Sequence, residues 1–246
     1  MESNYETTPA DSETLEVPEA APQSVILYAS SQRRAAVVTS LFGLGILLSI
    51  AIVAFNVHRY QLMDRILRNE GFTERDIEIS DNLQFFLDIA WLVWYISTVV
   101  AFLMWTHRVH WNLPALGATN LKFNPRNAVG WYFAPLLNLF RPYQVMREIY
   151  NASDPATFVD GSSDWRSRNA PAVVKMWWTL FLIMGFVGNA VSRESIKADT
   201  PLAYQDVAAM SVVDETFSIA AMLAATWLVR SIARRQEARA TLLGLS

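Results

Sequence analysis

The sequence predicts an all-α membrane protein: four transmembrane helices, plus a kinked amphipathic helix pair, interfacial or re-entrant, between the second and third. Three observations predict it. Of 246 residues, 52% are hydrophobic, only 17% are charged and nine are Trp. Soluble chains carry about 25% charged residues, so this chain must place apolar surface in lipid or in a very large core. Four windows reach the ~20 apolar residues that a helix needs to cross a bilayer. The basic residues, finally, are distributed unevenly about those windows.

The elements follow in order. Residues 1–32 hold six acids, three prolines and no base, a composition that cannot offset its ordering entropy and reads as a disordered cytoplasmic tail. It is the opposite of a signal peptide, which opens with positive charge. The four-span membrane domain is expected over 33–240. Its first span, 35–57, is introduced by Arg33 and Arg34 and closed by His58 and Arg59. Beyond it Leu62, Met63, Ile66 and Leu67 keep helical spacing, so the helix is expected to run past the membrane and stop at Gly71. Thr73 to Asp76 then reads as an acidic capping box opening the next helix. The second span is 83–104, ending at Trp105 and Arg108. The third is 172–191, with Asn169 as N-cap and Pro171 in the first turn. The fourth, 207–229, is followed by Arg230, Arg234, Arg235 and Arg239, and by a short tail at 241–246.

If all four windows cross, fourteen of the twenty Lys and Arg fall on the side of the termini and the 105–171 segment, and six on the other. The positive-inside rule then places both termini in the cytoplasm. Trp105-x-x-Arg108 and Trp227-x-x-Arg230 close the second and fourth spans alike, too short a match to establish a duplication.

Between spans two and three, Asn124 is suited to cap a helix that has Pro125 in its first turn. Val129, Tyr132, Phe133, Leu136, Leu137 and Phe140 fall on one helical stripe, which Pro135 bends and Pro142 ends. A second amphipathic helix follows, with Val145, Met146 and Ile149 on one face and Gln144, Arg147, Glu148 and Asn151 on the other. The pair occupies about 125–152. Full crossing would spoil the charge asymmetry, which leaves an interface-lying kinked helix or a re-entrant hairpin.

Leu116-Gly117, Phe123-x-Pro125, Gly130-Trp131, Pro135, Asn138, Arg141-Pro142, Met146, Glu148 and Ala152-Ser153-Asp154 together resemble the signature of a bacterial membrane family. That family, largely actinobacterial, is number 4328 among domains of unknown function. The resemblance extends through Trp177-Trp178 to Arg234-Arg235-Gln236 and covers roughly 35–240. It implies a multi-pass protein of the bacterial plasma membrane, and it brings no catalytic residue.

Charged groups inside spans are costly and so informative. Asp88 lies five residues into the second span, and Asp214 and Glu215 lie seven and eight into the fourth. With Asn56, Arg59, Asn189 and Arg193 they form one polar level, about 8–12 Å in from the non-cytoplasmic side by helical rise. Two readings stand. The level lines an outward vestibule for a cation, proton or polar solute, or Asp88 and Asp214 pair with Arg59 and Arg193 and lock the bundle.

His107 and His110 share a helix face, but a metal site needs a third ligand, and Glu148 or Asp154 would have to fold back to supply it. Packing or headgroup contact is the simpler reading, and no metal or cofactor is expected. Lys122, Arg126, Arg141, Arg147, Arg166 and Arg168 make the cytoplasmic face basic, which suits anionic lipid and is too dispersed for nucleic acid. With no cysteine there is no thiolate chemistry. The chain also lacks metalloprotease, nucleophile-elbow, Walker and dinucleotide-binding signatures. The expected function is interaction with lipids or membrane proteins, itself included as a homo-oligomer, rather than catalysis. The alternative is a small transporter or channel component using the vestibule, and the weaker one an intramembrane enzyme.

Overall fold

The computed structural model describes residues 27–156 and 165–245. Within them the chain forms α1 (Gln32–Leu67), α2 (Glu74–Ala115), α3 (Pro125–Gly130), a 3-10 turn (Leu137–Leu139), α4 (Arg141–Ala152), α5 (Ala172–Lys197) and α6 (Pro201–Leu242). No strand occurs among the described residues. Helices α1, α2, α5 and α6 are long and apolar enough to cross a membrane. They contain the four predicted windows and run on past them: α2 and α6, with 42 residues each, are about 63 Å long, against a hydrocarbon core of about 30 Å. Mid-helix side chains such as Phe86, Val93 and Val100 on α2 are exposed in the isolated chain, as a lipid-facing stripe must be.

The predicted tail lies outside the described residues as far as residue 26. Its last residues are held. Ala29 and Asn112 exchange hydrogen bonds, Tyr28 donates to Glu237, and Ser31 is fully buried.

The helix ends are set locally. Thr73 Oγ1 accepts from the Asp76 N–H while the Asp76 carboxylate accepts from the Thr73 N–H, the expected capping box. Thr200 caps α6 by accepting from the Ala203 N–H, followed by Pro201. Two expected boundaries differ. After Leu67 the first left-handed residue is Asn69 (φ 55°), with Gly71 (φ 37°) two positions later, so the turn begins earlier than glycine alone would place it. Asn169 does not cap α5, whose N-cap is Pro171 itself.

Packing runs in an arc. α1 lies along α6, α6 along α5 and α1 along α2, while no extensive contact joins α2 to α5. At the α1–α2–α6 junction Gly45 leaves no room for a Cβ, because the Trp94 indole and the Met222 sulfur occupy that space. Trp94 Nε1 donates to the Leu41 carbonyl at 2.7 Å, which pins α2 to α1.

The central segment bridges the open side of the arc, α3 against α2 and α4 against α5. It is not the long kinked helix that the apolar stripe suggested. Asn124 caps α3 as expected, but α3 ends at Gly130, and residues 131–136 turn with Leu136 at φ 63° before the 3-10 turn and α4. Pro135 has no N–H to continue a helix, and local bonds such as Asn138 N–H to the Ala134 carbonyl take over. The apolar tip rests on Phe102 and Trp178: Tyr132 meets the Phe102 ring edge-on, and Trp178 Nε1 donates to the Leu139 carbonyl. Phe133 (68% exposed) and Leu136 (76%) remain largely exposed.

The densest core lies at the end of the bundle where α1 begins and α6 ends, here called the terminal end. Val38, Trp105, Val109, Leu113, Val145, Met146, Ile149, Val174, Leu228 and Ile232 are fully or almost fully buried there. The opposite end, carrying the short α1–α2 and α5–α6 connections, is hollow.

Candidate functional site

Between the four long helices lies a cavity of about 1030 Å³. Its polar wall is built by helical periodicity. On α6, Ser211, Asp214, Glu215 and Ser218 fall at i, i+3, i+4 and i+7; on α5, Gly185, Gly188, Asn189 and Ser192 do the same. α1 contributes Ser49, Asn56 and Arg59, and α2 contributes Gln84, Asp88 and Thr98. Toward the terminal end the cavity closes on an aromatic floor of Phe102, Tyr132, Phe133, Trp177 and Phe181. The central segment therefore forms part of the site's base.

Six of the seven predicted polar residues line this one cavity: Asn56, Arg59, Asp88, Asn189, Asp214 and Glu215. Arg193 does not, being exposed and outside the lining. Nor do the acids pair as one reading required. Arg59 donates to Gln84 Oε1 at 3.0 Å, lies 3.6 Å from Asp81, and stacks over Tyr204 at 5.2 Å. Gln84 in turn donates to Asp88 at 2.7 Å, so Arg59 reaches Asp88 only through an amide. Glu215 is nearly buried beside Ser49, and Asn56 donates to the Ile52 carbonyl of its own helix. The Asp214 carboxylate packs close to the backbone of Gly188. Its Oδ1, the Thr98 Oγ1 and the Tyr132 hydroxyl are buried without a hydrogen-bond partner among the described residues. All three belong to residues that line the cavity.

Sequence reasoning missed Gln84, Tyr204, Ser49, Gly188 and the aromatic floor. The polar stripe on α6 was available at helical spacing. The contribution of Tyr132 and Phe133 was not, since it depends on how the 131–136 turn folds.

The residues of the family signature make a second site of a different kind, at the terminal end. Glu148 (4% exposed) accepts from the Lys122 N–H at 2.7 Å and the Phe123 N–H at 3.2 Å, and its Oε1 lies 3.2 Å from His110 Nε2. Glu148 and Asn151 are thus buried, correcting the expectation that they sit on the polar face of α4. Asp154 bridges Arg168 and Arg235, and Arg239 donates to the Ala152 carbonyl at the end of α4. Gln236, fully buried, donates to the Val109 carbonyl and to Ser153. Arg141 lies over the rings of Phe123 and Trp131, and Pro142 is buried at the start of α4. Gly117 ends α2 at φ 78°, Pro125 starts α3, and Gly130 ends it. Pro135 and Asn138 shape the tip. The bonds of Glu148, Asp154, Gln236 and Arg239 staple the central segment to α2 and α6.

Glu148 does fold back onto His110, yet His107 turns away to stack on Trp111, and no group of three metal-ligating side chains occurs among the described residues. Trp105 is fully buried and Trp227 half-exposed, so the repeated Trp-x-x-Arg pattern has no structural counterpart.

A family model described as Domain of unknown function (DUF4328) matches residues 68–234, narrower at both ends than the resemblance read from the sequence. No curated protein and no solved structure matches the chain.

Proposed function

The chain belongs to the DUF4328 family, and from that premise we propose that it is a bacterial plasma-membrane protein, termini cytoplasmic, that holds a lipid-like amphiphile in its four-helix cavity. The role is binding rather than catalysis. One observation carries the reading: the cavity is polar at the hairpin end and aromatic at its floor. A molecule with a hydrogen-bonding head and an apolar body matches both surfaces at once. Its volume, about 1030 Å³, is at the upper limit of the ~300–1,000 Å³ of small-molecule sites. Away from the central segment, which bridges them at the terminal end, α2 and α5 share no extensive contact, and this supports entry from the bilayer. Three carboxylates against one arginine in the wall favour a head that donates hydrogen bonds or carries positive charge.

The test is native mass spectrometry of the full-length protein released from membranes. Gly185 lines the cavity and has open space where a side chain would project, so Gly185→Trp is expected to fill it and abolish a discrete bound mass. Unchanged occupancy in Gly185→Trp, or no discrete ligand in the parent, contradicts the reading. A second reading, passage of a cationic solute, is favoured by Asp214 in the wall, whose buried Oδ1 has no hydrogen-bond partner among the described residues. It requires flux in proteoliposomes that Asp88→Asn and Asp214→Asn reduce.

A further inference from the structure

We propose that the cleft between the start of α1, the terminal part of α2 and α3 binds the phosphate-bearing headgroup of an anionic phospholipid, held by Arg34, His107 and Arg126. The cleft measures about 520 Å³ and is lined by those three residues with Leu103, Met104 and Val129. It is separate from the four-helix cavity, sharing only Leu103 with it.

The charge is one-signed. None of the ion pairs among the described residues involves Arg34, His107, Arg108 or Arg126. The nearby carboxylate of Glu148 is engaged by His110 and two backbone N–H groups. Arg34, His107 and Arg126 thus meet at one cleft from three elements, with Arg108 close by and no counter-ion among the described residues, an arrangement that an anion relieves. Its effect shows on the side chains themselves. Burial and the positive charges of Arg34, Arg108, His110 and Arg126 hold the His107 imidazole below its usual range, and burial with Arg108 lowers Arg34.

The geometry is also prepared. Arg34 Nη1 donates to the Met104 carbonyl at 2.9 Å, which fixes the guanidinium at the cleft and leaves its other N–H groups for two-point binding of a phosphate. The apolar walls decide the source of that phosphate. Leu103 and Met104 close the predicted second span, and Met104 (53% exposed) continues the lipid-facing stripe through Val100. A soluble phosphate gains nothing from them, whereas the glycerol and first methylenes of a lipid are covered by them.

The experiment uses the full-length protein in nanodiscs of phosphatidylcholine with or without phosphatidylglycerol, read by native mass spectrometry. The parent is expected to retain phosphatidylglycerol preferentially. Arg126→Gln removes an exposed side chain that makes no hydrogen bond among the described residues, and should lower retention about fivefold, with Arg34→Gln lowering it further. Thermal unfolding of Arg126→Gln in phosphatidylcholine alone should match the parent, separating binding from folding. Retention should rise as pH falls below about 6.5, the ordinary imidazole value, toward the lowered pKa of His107, and His107→Gln should flatten that rise. Equal retention by parent and both Arg variants overturns the site. Displacement of the lipid by millimolar inorganic phosphate overturns its assignment to a lipid. Neither outcome touches the cavity, whose occupancy is read by Gly185→Trp.

Discussion

At Glu148 a single carboxylate accepts two backbone N–H groups and faces His110, in a place almost closed to solvent. Each buried donor left without an acceptor costs about 1–3 kcal/mol. Glu148→Ala should therefore destabilise the protein by several times that of a surface change, while Glu148→Gln, which keeps one acceptor oxygen, should cost less. Denaturation in mild detergent measures both. Asp214 should behave oppositely. Its Oδ1 has no hydrogen-bond partner among the described residues, so Asp214→Asn is expected to leave the unfolding temperature unchanged or raised while weakening ligand occupancy. A matching loss of stability would return Asp214 to a purely structural role. At His107 the pKa is depressed in the folded chain, so protonation favours unfolding. The associated stability is present above about pH 6.5, the unfolded value, and is lost as pH falls through the folded pKa. Added phosphatidylglycerol should offset that loss, and His107→Gln should remove it.

Among the elements, the α1–α2–α6 junction rests on the absence of a side chain at Gly45. Gly45→Leu must displace Trp94 or separate the helices, and overpacking of this sort costs about 1–3 kcal/mol or more. Loss of folded protein on size-exclusion chromatography in detergent would register it, and a normally folded variant would show that the junction is plastic. Trp105→Ala, at a fully buried site, should cost about 3–5 kcal/mol. Elements were legible in the sequence where their determinants are local. The Thr73–Asp76 box and the Asn124 cap involve residues three apart and form as read. The stripe from Val129 to Phe140 misled because a turn immersed in apolar surroundings needs the same residues as an amphipathic helix. The decisive contacts, Trp178 to the Leu139 carbonyl and Tyr132 on Phe102, come from distant helices. Glu148 was placed on the wrong face for a similar reason, since its partners lie 25 to 38 residues away.

For the molecule as a whole, the polar level could be counted out from helical rise, and six of its seven members share one cavity. That the level surrounds a cavity rather than a set of ion pairs follows from the arc of helices, which no single window encodes. The orientation proposed from the basic residues has its own check, and the absence of cysteine makes it clean. A membrane-impermeant maleimide should label Glu70→Cys on intact cells, and Leu242→Cys only after lysis; the reverse pattern inverts the topology. The cavity itself is probed most directly by a photo-crosslinking amino acid at Val207, which lines it, compared with Val213 on the same helix, 51% exposed toward lipid. Cross-linking at 207 is expected to yield one adduct of defined mass, and at 213 the mixed lipids of the bilayer. The same mixture at both positions, or no adduct at 207, would contradict a ligand-holding cavity.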